Sequence, residues 1–197
     1  MRFVIALILL VLAGCDKESE PKGQAQPAST AKAGASDKAE ITLESANGMR
    51  ATLSYTFAGQ KAPSAPFADA QGQDVSLADF EGKPLLLNIW ATWCAPCKAE
   101  MPTLDALAAS EKGRMNVIAV SQDLEGRAPV VAFFTETGVK NLVPYTDADN
   151  ALLTAFNNAI ALPTTILYDS DGKEVWRVAG GVEWDEAEMA KLLRAAD

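Results

Sequence analysis

The 197-residue chain contains no histidine. That absence removes Ser–His and Cys–His nucleophilic catalysis together with the commonest metal ligand. Cysteine is scarce, with three residues: Cys15, Cys94 and Cys97. A tetrahedral zinc site on the Cys94/Cys97 pair would have only carboxylates to complete it, so no metal is expected there. There is no Lys/Arg run, and 17 basic against 26 acidic residues leave a formal net charge of −9. Nucleic acid, whose phosphates call for clustered Lys and Arg, is therefore not an expected partner. Long apolar runs are also missing. The longest, Phe3 to Ala13, has eleven residues, short of the ~20 needed by a membrane-spanning helix.

That run follows Arg2 and leads into Leu12-Ala13-Gly14-Cys15. A positive start, an apolar stretch and small residues before a cysteine resemble the bacterial lipoprotein signal, in which the cysteine is lipidated and becomes the new N-terminus. On this reading residues 1–14 are the signal and Cys15 is the lipidation site. Removing Arg2, the only charged residue of the segment, takes the net charge from −9 to −10. An uncleaved anchor and an ordinary secretory signal are the alternatives, and each of them also exports the chain. Asp16 after the cysteine resembles the signal that keeps enterobacterial lipoproteins in the inner membrane. The expected location is the periplasmic face of that membrane, in a bacterial envelope.

Residues 15–40 read as a linker. Asp16 to Glu40 contains no aromatic residue and no Val, Ile or Leu, so it has little apolar surface to offset the cost of ordering. Twenty-five such residues would reach about 25–30 Å. From Ile41 to Phe57 apolar and polar residues alternate around Asn47-Gly48, a strong hairpin signal. Residues 41–62 are accordingly a hairpin extension with its connector, and residues 63–197 the main domain. Asp69 to Phe80 suggests a short hairpin and a helical turn. Strands are expected at Leu85–Ala91, Met115–Ser121, Leu142–Tyr145, Thr164–Asp169 and Glu174–Ala179. Helices are expected at Ala95–Glu111, Pro129–Thr137 and Asn150–Asn158, with a closing helix carrying Trp184, Met189, Leu192, Leu193 and Ala196 on one stripe. The class is α/β, a sheet flanked by helices.

Cys94 and Cys97 enclose Ala95-Pro96 at the turn from a buried strand into a helix. A helix N-terminus offers unpaired N–H groups and the positive end of its dipole. Cys94 should therefore ionise more readily than a free thiol and act as a nucleophile. Cys97, about one turn away, can attack the resulting mixed disulfide. Pro96 lacks an N–H and has a fixed φ, both suited to a helix start.

The run Asn88-Ile89-Trp90-Ala91-Thr92-Trp93-Cys94-Ala95-Pro96-Cys97-Lys98-Ala99-Glu100-Met101-Pro102 closely resembles thioredoxin-like reductases of the TlpA/ResA type. The likeness extends from about Phe67 to the end, through Gly82-Lys83-Pro84, Leu162-Pro163-Thr164-Thr165 and Ala179-Gly180-Gly181-Val182-Glu183-Trp184. It implies a thioredoxin-like fold with a central mixed sheet and thiol–disulfide exchange without a cofactor. Pro163 matches the family's cis-proline facing the dithiol, although roughly 95% of X–Pro bonds are otherwise trans. Leu162 would offer its backbone to an extended substrate segment. Trp93 would shield Cys94 or receive apolar parts of a partner, so Trp93, Pro96, Leu162 and Pro163 form the expected substrate-binding set. Ordinary thioredoxins carry aspartate where this chain has Asn88. The TlpA/ResA type instead has a glutamate three residues past the second cysteine, here Glu100, positioned to accept the Cys97 proton. A solvated glutamate in the first turns of a helix is the competing account of Glu100.

The resemblance implies reduction of disulfides in exported proteins, such as apocytochrome c during cytochrome c maturation or a copper-centre protein of cytochrome oxidase. A membrane thiol donor would then restore the dithiol. Two other readings stay open at this point. One is an oxidase or isomerase on the same scaffold; the other is an assembly factor whose thiolates hold Cu(I).

Overall fold

The computed structural model describes residues 40–157 and 160–196. The expected signal, Cys15 and the linker through residue 39 lie outside the described residues. Among those described, no helix is long and apolar enough to cross a membrane.

Among the described residues nine strands form one mixed sheet. They are β1 (Ile41–Glu44), β2 (Arg50–Ser54), β3 (Phe67–Ala68), β4 (Asp74–Val75), β5 (Leu85–Trp90), β6 (Asn116–Ser121), β7 (Pro144–Thr146), β8 (Thr164–Tyr168) and β9 (Glu174–Ala179). Their spatial order is β1-β2-β9-β8-β5-β6-β7-β3-β4. The helices are α1 (Ala95–Ser110), α2 (Arg127–Thr137), α3 (Ala151–Ala155) and α4 (Ala187–Leu193), with 3₁₀ turns at Leu77–Phe80 and Arg194–Ala196.

β5 lies between β6, to which it runs parallel, and β8, to which it runs antiparallel. All six of its residues are buried, because both faces of a central strand in such a sheet are covered. Side chains alternate across a strand, so Leu86 and Trp90 enter one core and Leu85, Leu87 and Ile89 the other. The first core contains Met101 and Leu104 of α1, Val130 and Phe134 of α2, and Met189 and Leu193 of α4. The second contains Leu152 of α3, together with Phe67 and Leu77. Asn88 shares the parity of Leu86 and Trp90 and is thereby directed towards α1.

The hairpin does not stand apart from the sheet. β1 and β2 pair antiparallel across the Asn47-Gly48 turn, and β2 then pairs antiparallel with β9, placing Thr52 opposite Ala179. Leu43, Ala51 and Leu53 sink into the same core as Cys94 and Cys97. The strand stops at Ser54, short of the expected Phe57. The Thr56 N–H bonds Ser54 Oγ at 3.2 Å and the Ala58 N–H bonds the Tyr55 carbonyl at 3.1 Å, so the chain turns there.

Two helices are shorter than their apolar patterns predict. α3 ends at Ala155, followed by Phe156 as C-cap and Asn157 at φ 56°, a left-handed conformation that asparagine tolerates. α4 begins after Glu186, leaving Trp184 ahead of the helix rather than on its stripe. The amides of Val182, Glu183 and Trp184 donate to side chains elsewhere, at 3.2 Å each. A helix would have pointed them along its own axis.

Candidate active site

β5 ends at Trp90, and Ala91-Thr92-Trp93 carries the chain to Cys94, the N-cap of α1. The Cys94 and Cys97 sulfurs are joined in a disulfide, with Cα atoms 5.3 Å apart. Cys94 is 7% exposed and Cys97 fully buried, so Cys94 is the cysteine nearer to a partner's approach. The Cys97 N–H donates to Cys94 Sγ at 3.4 Å, and the Lys98 N–H to the Cys94 carbonyl at 3.1 Å. This is the helix-start geometry that favours a thiolate on Cys94 when the pair is reduced.

Glu100 lies three residues beyond Cys97 on the buried stripe of α1 that also includes Met101 and Leu104. It is not the solvated glutamate of the alternative account, since none of its surface is exposed. Oε1 accepts from Asn88 Nδ2 at 2.7 Å, and the same amide group donates to Thr165 Oγ1 on β8 at 2.9 Å. Oε2 accepts from the Val182 N–H at 3.2 Å. Burial pushes the Glu100 carboxyl up to about 8, against the opposing pull of the Asn88, Val182 and Trp184 donors. The Trp184 indole N–H is itself buried without a partner of regular hydrogen-bond geometry.

The Leu162–Pro163 bond is cis, as the family resemblance implied. β8 pairs Thr164 with Ile89, which brings Pro163 level with Trp90 at the end of β5 from which the dithiol loop departs. Pro163 is buried and its carbonyl accepts from the Gly180 N–H at 2.9 Å. Leu162 packs against the core that holds Cys94 and Cys97. Pro96 is exposed beside Cys94, and Trp93 is 68% exposed. A redoxin family profile matches residues 57–193.

The chain belongs to the redoxin family. This redoxin is similar to the thiol-disulfide oxidoreductase ResA of Bacillus thuringiensis subsp. konkukian, at 36% identity over 124 residues, 62% of this chain and 69% of the relative. Its identity to ResA of Bacillus subtilis is 35% over 123 residues, covering 62% of this chain and 67% of the relative. Among solved structures, a candidate thiol:disulfide interchange protein DsbE from Chlorobium tepidum matches with TM-score 0.62 at 26% identity, over 71% of this chain and 98% of that one. A thiol:disulfide interchange protein from a Bacteroides species matches with TM-score 0.54 at 28% identity, over 61% of this chain and 80% of that one. The redoxin is thus a ResA-type thiol–disulfide oxidoreductase with a thioredoxin-like fold.

Several parts of the redoxin's site had not been picked out from sequence. Asp123, after β6, is buried and accepts from the Thr92 N–H at 2.9 Å, the Thr92 hydroxyl at 2.6 Å and the Ser121 hydroxyl at 2.5 Å. It ties the dithiol loop to the end of β6. One residue beyond each member of this link stand Trp93 and Leu124, the latter 72% exposed. An aspartate in a loop is an ordinary surface residue in sequence, so nothing marked it. Val182 contributes only its backbone, which leaves no trace in side-chain identity. The available signal was Gly180-Gly181, because Gly180 has φ 109° and a Cβ there would fall 2.5 Å from the Arg50 carbonyl.

Proposed function

We propose that this redoxin is a lipid-anchored, extracytoplasmic protein-disulfide reductase serving cytochrome c maturation or assembly of the cytochrome oxidase copper centre. The observation that carries the reductase reading is the fully buried Glu100, three residues along α1 from Cys97 of the Cys94–Cys97 disulfide. Its pKa of about 8 lies near the ~8.5 of an ordinary thiol. A carboxyl held in this range exchanges a proton with a neighbouring thiol more readily than an ordinary carboxyl does.

The cycle begins with Cys94 as thiolate. It attacks one sulfur of a partner disulfide, forming a mixed disulfide and expelling the partner's other sulfur as a thiolate. Cys97 passes its proton to the ionised form of Glu100, a minority form at neutral pH that becomes the major one above about pH 8, and attacks Cys94 Sγ. The Cys94–Cys97 bond forms, the mixed disulfide breaks, and the partner leaves with both its sulfurs reduced. Two electrons have passed to the partner. A membrane thiol donor must return two electrons to the redoxin, because the exported compartment lacks the cytosolic reducing pool. Trp93, Pro96, Leu162 and Pro163 would line the path of the partner's extended segment.

Support for export and anchoring comes from the apolar run that ends at Cys15. The names of the curated relatives support disulfide exchange, and the likeness to the TlpA/ResA type supports the reductive direction and the cytochrome-related partners. The test is capture with Cys97→Ser in cells. The variant should accumulate a mixed disulfide through Cys94, and mass spectrometry of the adduct identifies the partner. A Cys94→Ser control should capture nothing. Absence of any adduct, together with no reduction of insulin disulfides by the wild type, would overturn the reductase reading.

A further inference from the structure

The β1–β2 hairpin, which begins before the matched redoxin region, meets the segment that holds Glu100. Three successive amides after β9 fan out to different places. The Val182 N–H donates to Glu100 Oε2, the Glu183 N–H to Ser45 Oγ in the hairpin turn, and the Trp184 N–H to Thr103 Oγ1 on α1. From the other side the Ala46 N–H bonds Glu186 Oε1 at 2.8 Å. A Cβ on Gly181 would lie 3.1 Å from Met49 Sδ and 3.4 Å from the Pro96 carbonyl. Gly181 is therefore wedged between the hairpin and the backbone between the two cysteines. Gly180 is pressed in the same way against Arg50 and Ala51 of β2.

We propose that the hairpin is a positioning element of the redox site: Ser45 and Met49 hold the Gly180–Trp184 segment against α1, closing Glu100 off from water and presenting the Val182 amide to it. The inference rests on Glu100 as the proton acceptor of Cys97. The groups facing Glu100 are Asn88 from β5, with Thr165 of β8 behind it, Val182 and Trp184 from the segment, and Cys97 one turn earlier on α1. Apart from the Cys97 thiol none of these is a titratable group. The segment also carries Glu183 and is followed by Asp185 and Glu186, and none of them is a partner of Glu100. Loosening the hairpin admits water, and since burial is the dominant influence on Glu100, its proton affinity should fall towards that of an ordinary carboxyl.

The experiment is a redox titration of the Cys94–Cys97 couple against a glutathione buffer from pH 5 to 9, on full-length protein. The wild type should show a break in pH dependence near the Glu100 titration, absent in Glu100→Gln. Ser45→Ala/Met49→Ala should move the break at least one pH unit lower. At neutral pH its dithiol equilibrium constant should change about tenfold, or 30 mV for two electrons. Gly181→Ala, which pushes the same contact apart from the segment's side, should shift the break in the same direction. Ser45→Thr, which keeps the hydroxyl, should titrate like the wild type. If both sets of variants melt at a lower temperature but keep the break in place, the hairpin is only a structural edge and the proposal falls. If wild type and Glu100→Gln titrate alike, the proton-acceptor reading itself has failed, and the proposal falls with it.

Discussion

At the scale of single residues, the Asn88–Glu100 pair is where fold and chemistry meet. The parity of β5 sends Asn88 to the α1 face, and the helical stripe sends Glu100 to the same interior. In the folded, oxidised protein the carboxyl keeps its proton up to about pH 8, whereas its ordinary value is 4.5. Between those values the folded state binds the extra proton, so stability falls as pH rises through this window and levels off above it. Glu100→Gln should flatten that slope, with the largest gain over wild type, of order a few kcal/mol, at pH 8 and above. Urea unfolding at pH 5, 7 and 8.5 checks this; parallel curves for the two proteins would refute it. The same variant should slow resolution of the mixed disulfide by 10²-fold or more, the usual scale for losing a proton acceptor. Quenched-flow mass spectrometry on a peptide disulfide reads that step directly.

Asn88 also shows why an amide suits this position. Its Nδ2 serves both Glu100 and Thr165, so it stabilises a carboxylate without adding charge. Asn88→Asp would place two carboxyls in one dry site, where like charges raise both proton affinities. The expected result is destabilisation by ~3 kcal/mol or more at pH 8, relieved as pH falls below 5. Thermal melts across that range decide the matter, since a loss independent of pH would indicate mere packing damage.

At the scale of elements, the dithiol loop depends on a strand that has no part in the chemistry. Asp123 beyond β6 accepts the Thr92 amide and two hydroxyls. Asp123→Asn leaves one of these buried donors unsatisfied, costing ~1–3 kcal/mol, and frees Thr92-Trp93 to move. Attack of Cys94 on a partner disulfide should slow several-fold while the Glu100-dependent pH break stays in place. Stopped-flow Trp fluorescence with a model disulfide measures the rate, and a break that shifted would mean the loop and Glu100 are not separable.

The sequence made some elements legible and hid others, for physical reasons. β5 and α1 were readable because burial on both faces writes a continuous apolar run, and because Cys-x-x-Cys with Pro96 marks the helix start. The hairpin was readable from Asn47-Gly48, but its place at the sheet edge was not. Edge pairing is made by backbone groups of Thr52 and Ala179, which any residues could supply. The closing helix was overextended because Trp184, Met189 and Leu193 are all buried, and burial alone imitates helical spacing. The amides of Val182, Glu183 and Trp184 go to Glu100, Ser45 and Thr103, and no local pattern records bonds to residues about 80 to 140 positions away. Glu100 was identified through family likeness. Its burial could also have been inferred from Cys97, Met101 and Leu104 on the same stripe.

At the scale of the whole molecule, the apparatus for disulfide exchange is contained in the nine-stranded sheet and its helices, from Ile41 to Ala196. Both cores, the dithiol, Glu100 and the cis Leu162–Pro163 bond all lie there. The segment before it carries a different kind of information. Its apolar run is too short for a spanning helix, and two or more acyl chains at Cys15 would attach the protein stably where one is marginal. Chemistry and the proposed tethering should therefore separate cleanly. A chain beginning at Glu40 behind a cleavable secretory signal should fold, reduce insulin and match the full protein's dithiol potential. In cells it should move from the membrane fraction to the soluble periplasmic fraction. Cys15→Ser in the full chain should block diacylglyceryl modification, read by mass spectrometry. Retention of that mass on the variant, or an unmodified Cys15 in the wild type, would refute the anchor. If the shortened, soluble form also fails to support cytochrome assembly despite a normal potential, the tether serves to meet a partner held at the membrane. Full function of the soluble form would instead place the partner in free solution.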